Sequence, residues 1–319
     1  MHSPRTTVAR LRQGWATLLI LTVGATVAVL GVGAAPASAY PGKPLTEFSF
    51  YVHTTNTTTA YNLGCNQGSF DGTHGLTASR VTLAYGVQKS NLSGNILTGT
   101  GATITRAQVE AVAENLALGY YACSPLNSTL YLNLGTNNDN STETSSMGND
   151  WGNVVHDVNN WISGHAAQVL VQGANDMEPG FAASYSSTLA WANGYNGNSN
   201  AGLYLNFGSA DGCPQTTHTN GACNNGWNQR GLWTLSWNIA AAICAPEIYY
   251  TANAKQWEQI ALYGGTQGNT SHYIAVWDEY DLNTATLSPQ GAWDAFLTQL
   301  YSNSTTASAP LYSMEIHNE

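Results

Sequence analysis

Eight short stretches of this chain alternate apolar residues with polar or small ones, and most of the chain between them carries helical spacing. Phe48 to His53 sets Phe48, Phe50 and Val52 against Ser49, Tyr51 and His53. Arg80 to Gln88 sets Val81, Leu83, Tyr85 and Val87 against Thr82, Ala84, Gly86 and Gln88. The same period of two recurs over Thr129 to Thr136, Ala167 to Gly180, Leu203 to Ser209, Leu232 to Asn238, His272 to Asp278 and Leu311 to His317. Successive side chains of a strand point to opposite faces, so each stretch predicts a strand with one apolar and one polar or small face. Between them, Thr105 and Gln108 make a capping-box signature ahead of Val109, Val112, Ala113 and Leu116. Further helices are predicted from about Asp150, around Thr188 to Ala192, over Ala254 to Ala261, and after Ser288-Pro289. The Asn/Thr/Gly-rich stretch through Cys65 to about Ser79 predicts a long loop.

Eight strands with helical or irregular connections between them predict an α/β fold, a (β/α)8 TIM-type barrel in one domain over residues 40–319. A doubly wound open sheet is the competitor, but its strands should be apolar on both faces. An antiparallel sheet with one solvated face would explain the alternation but not the helices.

Residues 1–39 read as a secretory signal peptide: Arg5, Arg10 and Arg12, then an apolar run from Ala16 to Val32, then Ala37-Ser38-Ala39 before Tyr40. No later stretch reaches the ~18 apolar residues of a membrane helix, so a secreted protein with no membrane association after cleavage is expected. The remaining chain holds six Lys and Arg against 19 Asp and Glu, a formal charge of −13, which argues against a nucleic acid as partner. With only 9% charged residues but abundant Asn, Thr, Ser, Tyr and Trp, such a surface suits an uncharged polyhydroxylated ligand, and a monomer is expected. Of five cysteines, Cys213 and Cys223 bracket a nine-residue loop and predict a disulfide in an oxidising compartment. Cys65 with Cys123 is an open alternative, and Cys244 in an apolar run reads as a small buried side chain. Neither CxxC nor HExxH occurs, so no metal and no cofactor is expected. A G-x-S-x-G elbow is also absent, which disfavours an α/β-hydrolase.

The fourth stretch ends in Asp176-Met177-Glu178-Pro179-Gly180. On one strand face Asp176 and Glu178 have α-carbons about 6.6 Å apart, close enough for one charge to raise the other's pKa. Barrel active sites lie at the carboxyl ends of the strands. That rule nominates Glu178 as proton donor and Asp176 as its electrostatic partner. Glu247 comes first as nucleophile or base, with Asp278 or Glu315 second. Tyr51, His53, Tyr204, Asn206, Trp237, Asn238, Trp277 and Asp278 are the expected substrate-binding residues, with Gln88, Asn133 and Asn137 on neighbouring strands.

The inward Asp176-Met177-Glu178 resembles the catalytic strand of glycoside hydrolase families 25 and 18, the cell-wall muramidases and the chitinases. It differs in having Val171 and Ala174 where the longer chitinase pattern has acids, and His53 where family 25 has Asp. The Asp176 to Pro179 and Pro246 to Tyr249 segments also resemble secreted actinobacterial barrel proteins of unassigned activity. The resemblance implies a glycoside hydrolase-like protein that cleaves a cell-wall or environmental polysaccharide by carboxylate acid/base catalysis. The other reading is a catalytically inactive barrel that binds cell-wall glycan or a surface partner. Sugar, linkage and stereochemical outcome stay open.

Overall fold

The computed structural model describes residues 40–89, 95–97, 100–139 and 142–319. The expected signal peptide lies outside them. In chain order the strands are β1 (Thr46–Tyr51), β2 (Ala78–Gln88), β3 (Ile96–Leu97), β4 (Thr103–Ile104), β5 (Thr129–Asn137), β6 (Val169–Asp176), β7 (Tyr204–Asn206), β8 (Ala242–Cys244), β9 (Ala275–Asp278) and β10 (Tyr312–Asn318). Short β3 and β4 form an antiparallel flap on the end of β2. The other eight are all parallel, in the order β8-β7-β6-β5-β2-β1-β10-β9. The two ends of that row meet: Cys244 bridges Tyr273 and Glu247 bridges Trp277, both parallel, with the Ile274 N–H donating to the Cys244 carbonyl at 2.7 Å. Helices α1 (Thr57–His74), α2 (Arg106–Cys123), α3 (Ser145–Ile162), α4 (Tyr185–Asn196), α5 (Gln229–Trp233), α6 (Thr251–Thr266) and α7 (Pro289–Leu300) fill the seven connections. The fold is therefore the (β/α)8 barrel that the alternation predicts.

Two apolar layers hold it together. The larger lies between strands and helices. The smaller fills the lumen with Ala84, Ala174, Leu205, Phe207, Ala245, Ala275, Trp277, Met314 and Ile316. Below this plug Arg80 donates through Nη1 to Asn133 Oδ1 and Gln172 Oε1, both at 2.8 Å, and lies over the Tyr131 ring. Glu47 beside it accepts from the Arg80 backbone N–H.

Three expectations are corrected. The loop expected through Cys65 is α1, capped by Asn56, whose side chain accepts from the N–H groups of Thr58 and Thr59. Its sequence shows no apolar stripe because it meets α2 through glycines. A Cβ on Gly64 would lie 1.9 Å from the Leu116 carbonyl oxygen, and one on Gly119 equally close to that of Tyr61. Backbone packs on backbone there, and a Cys65–Cys123 disulfide pins the pair. The strand expected over Leu232 to Asn238 is α5 followed by a π-helical turn, Thr234–Asn238. Leu232, Leu235 and Ile239 recur at helical spacing and are all buried, a period that the polar Thr234, Ser236 and Asn238 mask. The sixth barrel strand is instead β8. Finally, β7 and β10 turn their apolar faces inward, as β9 does with Trp277 rather than Asp278, because the lumen beneath the mouth is apolar and packed, and their polar faces meet the helix layer or the outer wall. The expected Cys213–Cys223 disulfide is present, and Cys244 is free and buried.

Candidate active site at the barrel mouth

The carboxyl end of β6 delivers Asp176 into the lumen, and Glu178 follows two residues on. Asn138, just past β5, holds the Glu178 backbone at both ends: its Oδ1 accepts from the Glu178 N–H at 2.9 Å and its Nδ2 donates to the Glu178 carbonyl at 3.2 Å. Two strands along, past β8, the Glu247 N–H donates to the Gly208 carbonyl at 3.3 Å, which sets Glu247 beside the end of β7. Gly208 in turn lies against the Met177 backbone, where a Cβ would be 2.6 Å away. These contacts bring Asp176, Glu178 and Glu247 together, with a carboxylate oxygen of each within 4.8 Å of the others.

Asp176 and Glu247 are buried and Glu178 keeps an edge in water. Burial pushes the Glu178 carboxyl up to about 7; a hydrogen bond with Glu247 and the Ser209 N–H pull it down, while the Asp211 and Glu279 charges push it up. Burial, then the Glu178 charge, raises both Asp176 and Glu247 well above the ordinary carboxyl range. Among the described residues the Lys and Arg ion pairs are those of Arg106 with Glu110 and Asp157, so no Lys or Arg neutralises the trio. Protons must do so. The cluster therefore stores acid at neutral pH, and its oxygens could also surround a cation.

Tyr51 and His53 reach the mouth as expected. The Tyr51 hydroxyl donates to Glu279 Oε1 and its ring stacks near His53. Both line a small cavity with Asn137, Asp176 and Phe207. Trp277 also points inward, but it is fully buried under the mouth and stacked on Phe207 at 4.7 Å.

The remaining nominated residues lie elsewhere. Tyr204 faces the helix layer, its hydroxyl donating to the Leu235 carbonyl at 2.7 Å, and Asn206 Nδ2 donates to Ser236 Oγ at 2.9 Å on the same side. Trp237 packs on Trp257 and Tyr273 and donates to the His272 carbonyl. Asn238 is exposed just before β8, at the opposite end of the barrel. Asp278 and Glu315 face outward. Gln88 bonds the Met147 carbonyl and Trp191 in the helix layer, and Asn133 belongs to the Arg80 network.

Four residues that sequence reasoning passed over complete the mouth: Asn138, Asp211, Tyr249 and Glu279. Asp211 meets Glu178 across Gly180, whose Cβ would lie 2.4 Å from Asp211 Oδ2 and 3.7 Å from Glu178 Oε2. Burial, then the Glu247 and Glu279 charges, raises the Tyr249 hydroxyl well above its ordinary value. Tyr249 closes the Pro246 to Tyr249 segment singled out above without a role of its own, and Glu279 directly follows the nominated Asp278.

No protein-family model matches the chain, and no curated protein matches it. Among solved structures the chain is similar to the endo-1,4-beta-mannanase from Rhizomucor miehei, at 10% sequence identity over 88% of this chain and 87% of that one, with a TM-score of 0.40.

Proposed function

We infer that the protein is a secreted glycoside hydrolase-like barrel that cleaves the glycosidic bonds of a polysaccharide with Asp176, Glu178 and Glu247. The observation that carries this reading is the uncompensated acid trio at the carboxyl ends of the barrel strands. Glu178 is the proton donor: it is the one member with an edge in water, and a carboxyl at about 7 is half protonated near neutrality, where general acid catalysis is most effective. Glu247 becomes the nucleophile when the proton that burial and the Glu178 charge hold on it passes to its hydrogen-bond partner Glu178, which then donates it to the leaving group, and Asp176 lies beneath the pair. Oxygens within 4.8 Å of one another are closer to the ~5–5.5 Å of carboxyl pairs that form a covalent glycosyl intermediate than to the ~6.5–9.5 Å of pairs that admit a water between them. Retention of anomeric configuration is the expected outcome. Residues 1–39 act as the signal peptide and residues 40–319 as the mature domain. The two disulfides suit an oxidising compartment, and no described helix is long and apolar enough to cross a membrane.

A second reading has its own support. The cavity that reaches Asp176 measures about 90 Å³, against the ~300–1,000 Å³ of ordinary ligand pockets. That favours a catalytically silent barrel that binds glycan on its rim. Hydrolysis of peptidoglycan, chitin, mannan and neutral glucans by the parent protein, read by reducing-end release, separates the two. Turnover that falls at least ~10²-fold in Glu178→Gln and in Glu247→Gln supports catalysis. Turnover that survives either change removes that residue from the mechanism, and no turnover on any polymer leaves the binder.

A further inference from the structure

We propose that Asp281, Glu315 and His317, backed by the buried Asp278, form a binding site for one divalent transition-metal ion, Zn²⁺ or Mn²⁺, on the outer wall of the barrel. Glu315 pairs with Asp278 across β10 and β9, and paired residues present their side chains to the same face of a sheet. Since Trp277, Met314 and Ile316 fill the lumen, the intervening Asp278, Glu315 and His317 point outward together. A turn at Tyr280–Leu282 then folds back over them. The Asp281 N–H donates to Glu315 Oε1 at 3.0 Å, and Asp281 Oδ2 lies 3.8 Å from His317 Nδ1. One ligating atom from each of Asp281, Glu315 and His317 falls within 4.8 Å of the others. Bonds of ~2.0–2.2 Å to a common ion require donors roughly 3–3.5 Å apart, so small side-chain rotations close the set.

An independent observation points to a ligand. Asp278 is fully buried and its Oδ2 has no hydrogen-bond partner, and His317 Nε2 also lacks one. A buried carboxylate oxygen with no donor is costly, and three carboxyl groups gathered here repel one another. The nearby Lys43 does not relieve them by contact, since its ammonium donates to the Pro44 carbonyl and Thr46 Oγ1. A divalent cation held by Asp281, Glu315 and His317 would also offset the charge of Asp278 behind them, whose Oδ1 accepts from the Glu279 N–H at 2.9 Å. An imidazole among the ligands favours Zn²⁺ or Mn²⁺ over Ca²⁺ or Mg²⁺, which prefer all-oxygen sets. Entry is open: a groove of about 500 Å³ between Phe48, Phe50, Leu63, Phe70 and His317 runs along the wall. The ion would tie the turn after β9 to β10. Glu279, which begins that turn, is the acceptor for Tyr51 in the mouth.

The test is titration calorimetry of Zn²⁺, Mn²⁺ and Ca²⁺ into the purified, chelator-stripped protein, with thermal unfolding measured on the same samples. Expected is one equivalent of Zn²⁺ or Mn²⁺ bound with a rise in Tm. Affinity should be at least tenfold weaker in Glu315→Gln and in Asp281→Asn and unchanged in Glu178→Gln. Asp281 is exposed, so its variant keeps the fold testable if Glu315→Gln does not fold. Absence of saturable Zn²⁺ or Mn²⁺ binding, preference for Ca²⁺, undiminished binding in Asp281→Asn, or binding lost in Glu178→Gln, which would place the ion in the mouth, each overturns the proposal.

Discussion

Glu178→Gln should stabilise the protein at alkaline pH while abolishing turnover. The Glu178 carboxyl is raised from the ordinary 4.5 to about 7, so between those values the folded state binds the proton more tightly than the unfolded chain does. Stability from this group is full below pH 4.5 and falls as pH rises to about 7, beyond which the lost amount is constant. At ~1.4 kcal/mol per pKa unit the deficit is about 3 kcal/mol, an upper figure because one edge of the carboxyl is in water. Glutamine keeps the shape and can still accept from the Ser209 N–H, but it never has to ionise. It also removes the charge that, after burial, does most to raise Asp176 and Glu247, so coupling works in the same direction. Urea unfolding at pH 4 and pH 8 measures the effect: parent and variant should be close at pH 4, with the variant ahead by up to about 3 kcal/mol at pH 8. A variant that is equally or less stable at pH 8, or that gains the same at pH 4, refutes the buried-acid account of the mouth.

Three further outcomes are expected. Glu47, buried beside Arg80, is pushed up to about 8 by burial, so Glu47→Gln should match the parent near pH 4 and exceed it by about 5 kcal/mol above pH 8 in the same assay; a difference that does not change with pH refutes this. The Cys65–Cys123 bridge spans 58 residues and Cys213–Cys223 spans 10, so on the chain-entropy account Cys65→Ser should cost about 4 kcal/mol and Cys213→Ser about 3; the reverse order by calorimetry would show that the α1–α2 contact holds without its bridge. Phe207→Ala should destabilise by ~3–5 kcal/mol and admit water beneath Asp176, which moves the pH–rate profile to lower pH; an unmoved profile would mean that the plug does not govern the acids.

The barrel was legible because alternation survives whichever face points inward. Its period told of strands, and the helices between them told of parallel order. Which face turned inward was misread for β7 and β10 and left open between Trp277 and Asp278 for β9, since the expectation of a polar lumen reads Tyr204, Asn206 and Glu315 as inward when Phe207, Met314 and Ile316 fill it. On β6 the reading succeeded because small Ala174 and acidic Asp176 share a face that only a mouth accommodates. Helix α1 was hidden for a different reason: its contact with α2 runs through Gly64 and Gly119, and a backbone-to-backbone contact leaves no apolar period to read.

The same inward turn explains the chemistry of the mouth. Phe207 and Trp277, stacked at 4.7 Å, together with Ala174, Met314 and Ile316 close the lumen directly beneath Asp176 and Glu247, so water cannot hydrate these carboxyls from below. Among the described residues the one guanidinium inside the barrel, Arg80, is engaged by Asn133 and Gln172 on the far side of that plug, where it cannot neutralise the trio. An apolar floor and a sequestered cation leave protonation as the means by which Asp176, Glu178 and Glu247 can share one mouth. Polar residues in the lumen of β7, β9 and β10 would have hydrated that floor and let all three acids ionise. The apolar lumen that defeated part of the sequence reading is therefore what makes the cluster able to deliver a proton near neutral pH.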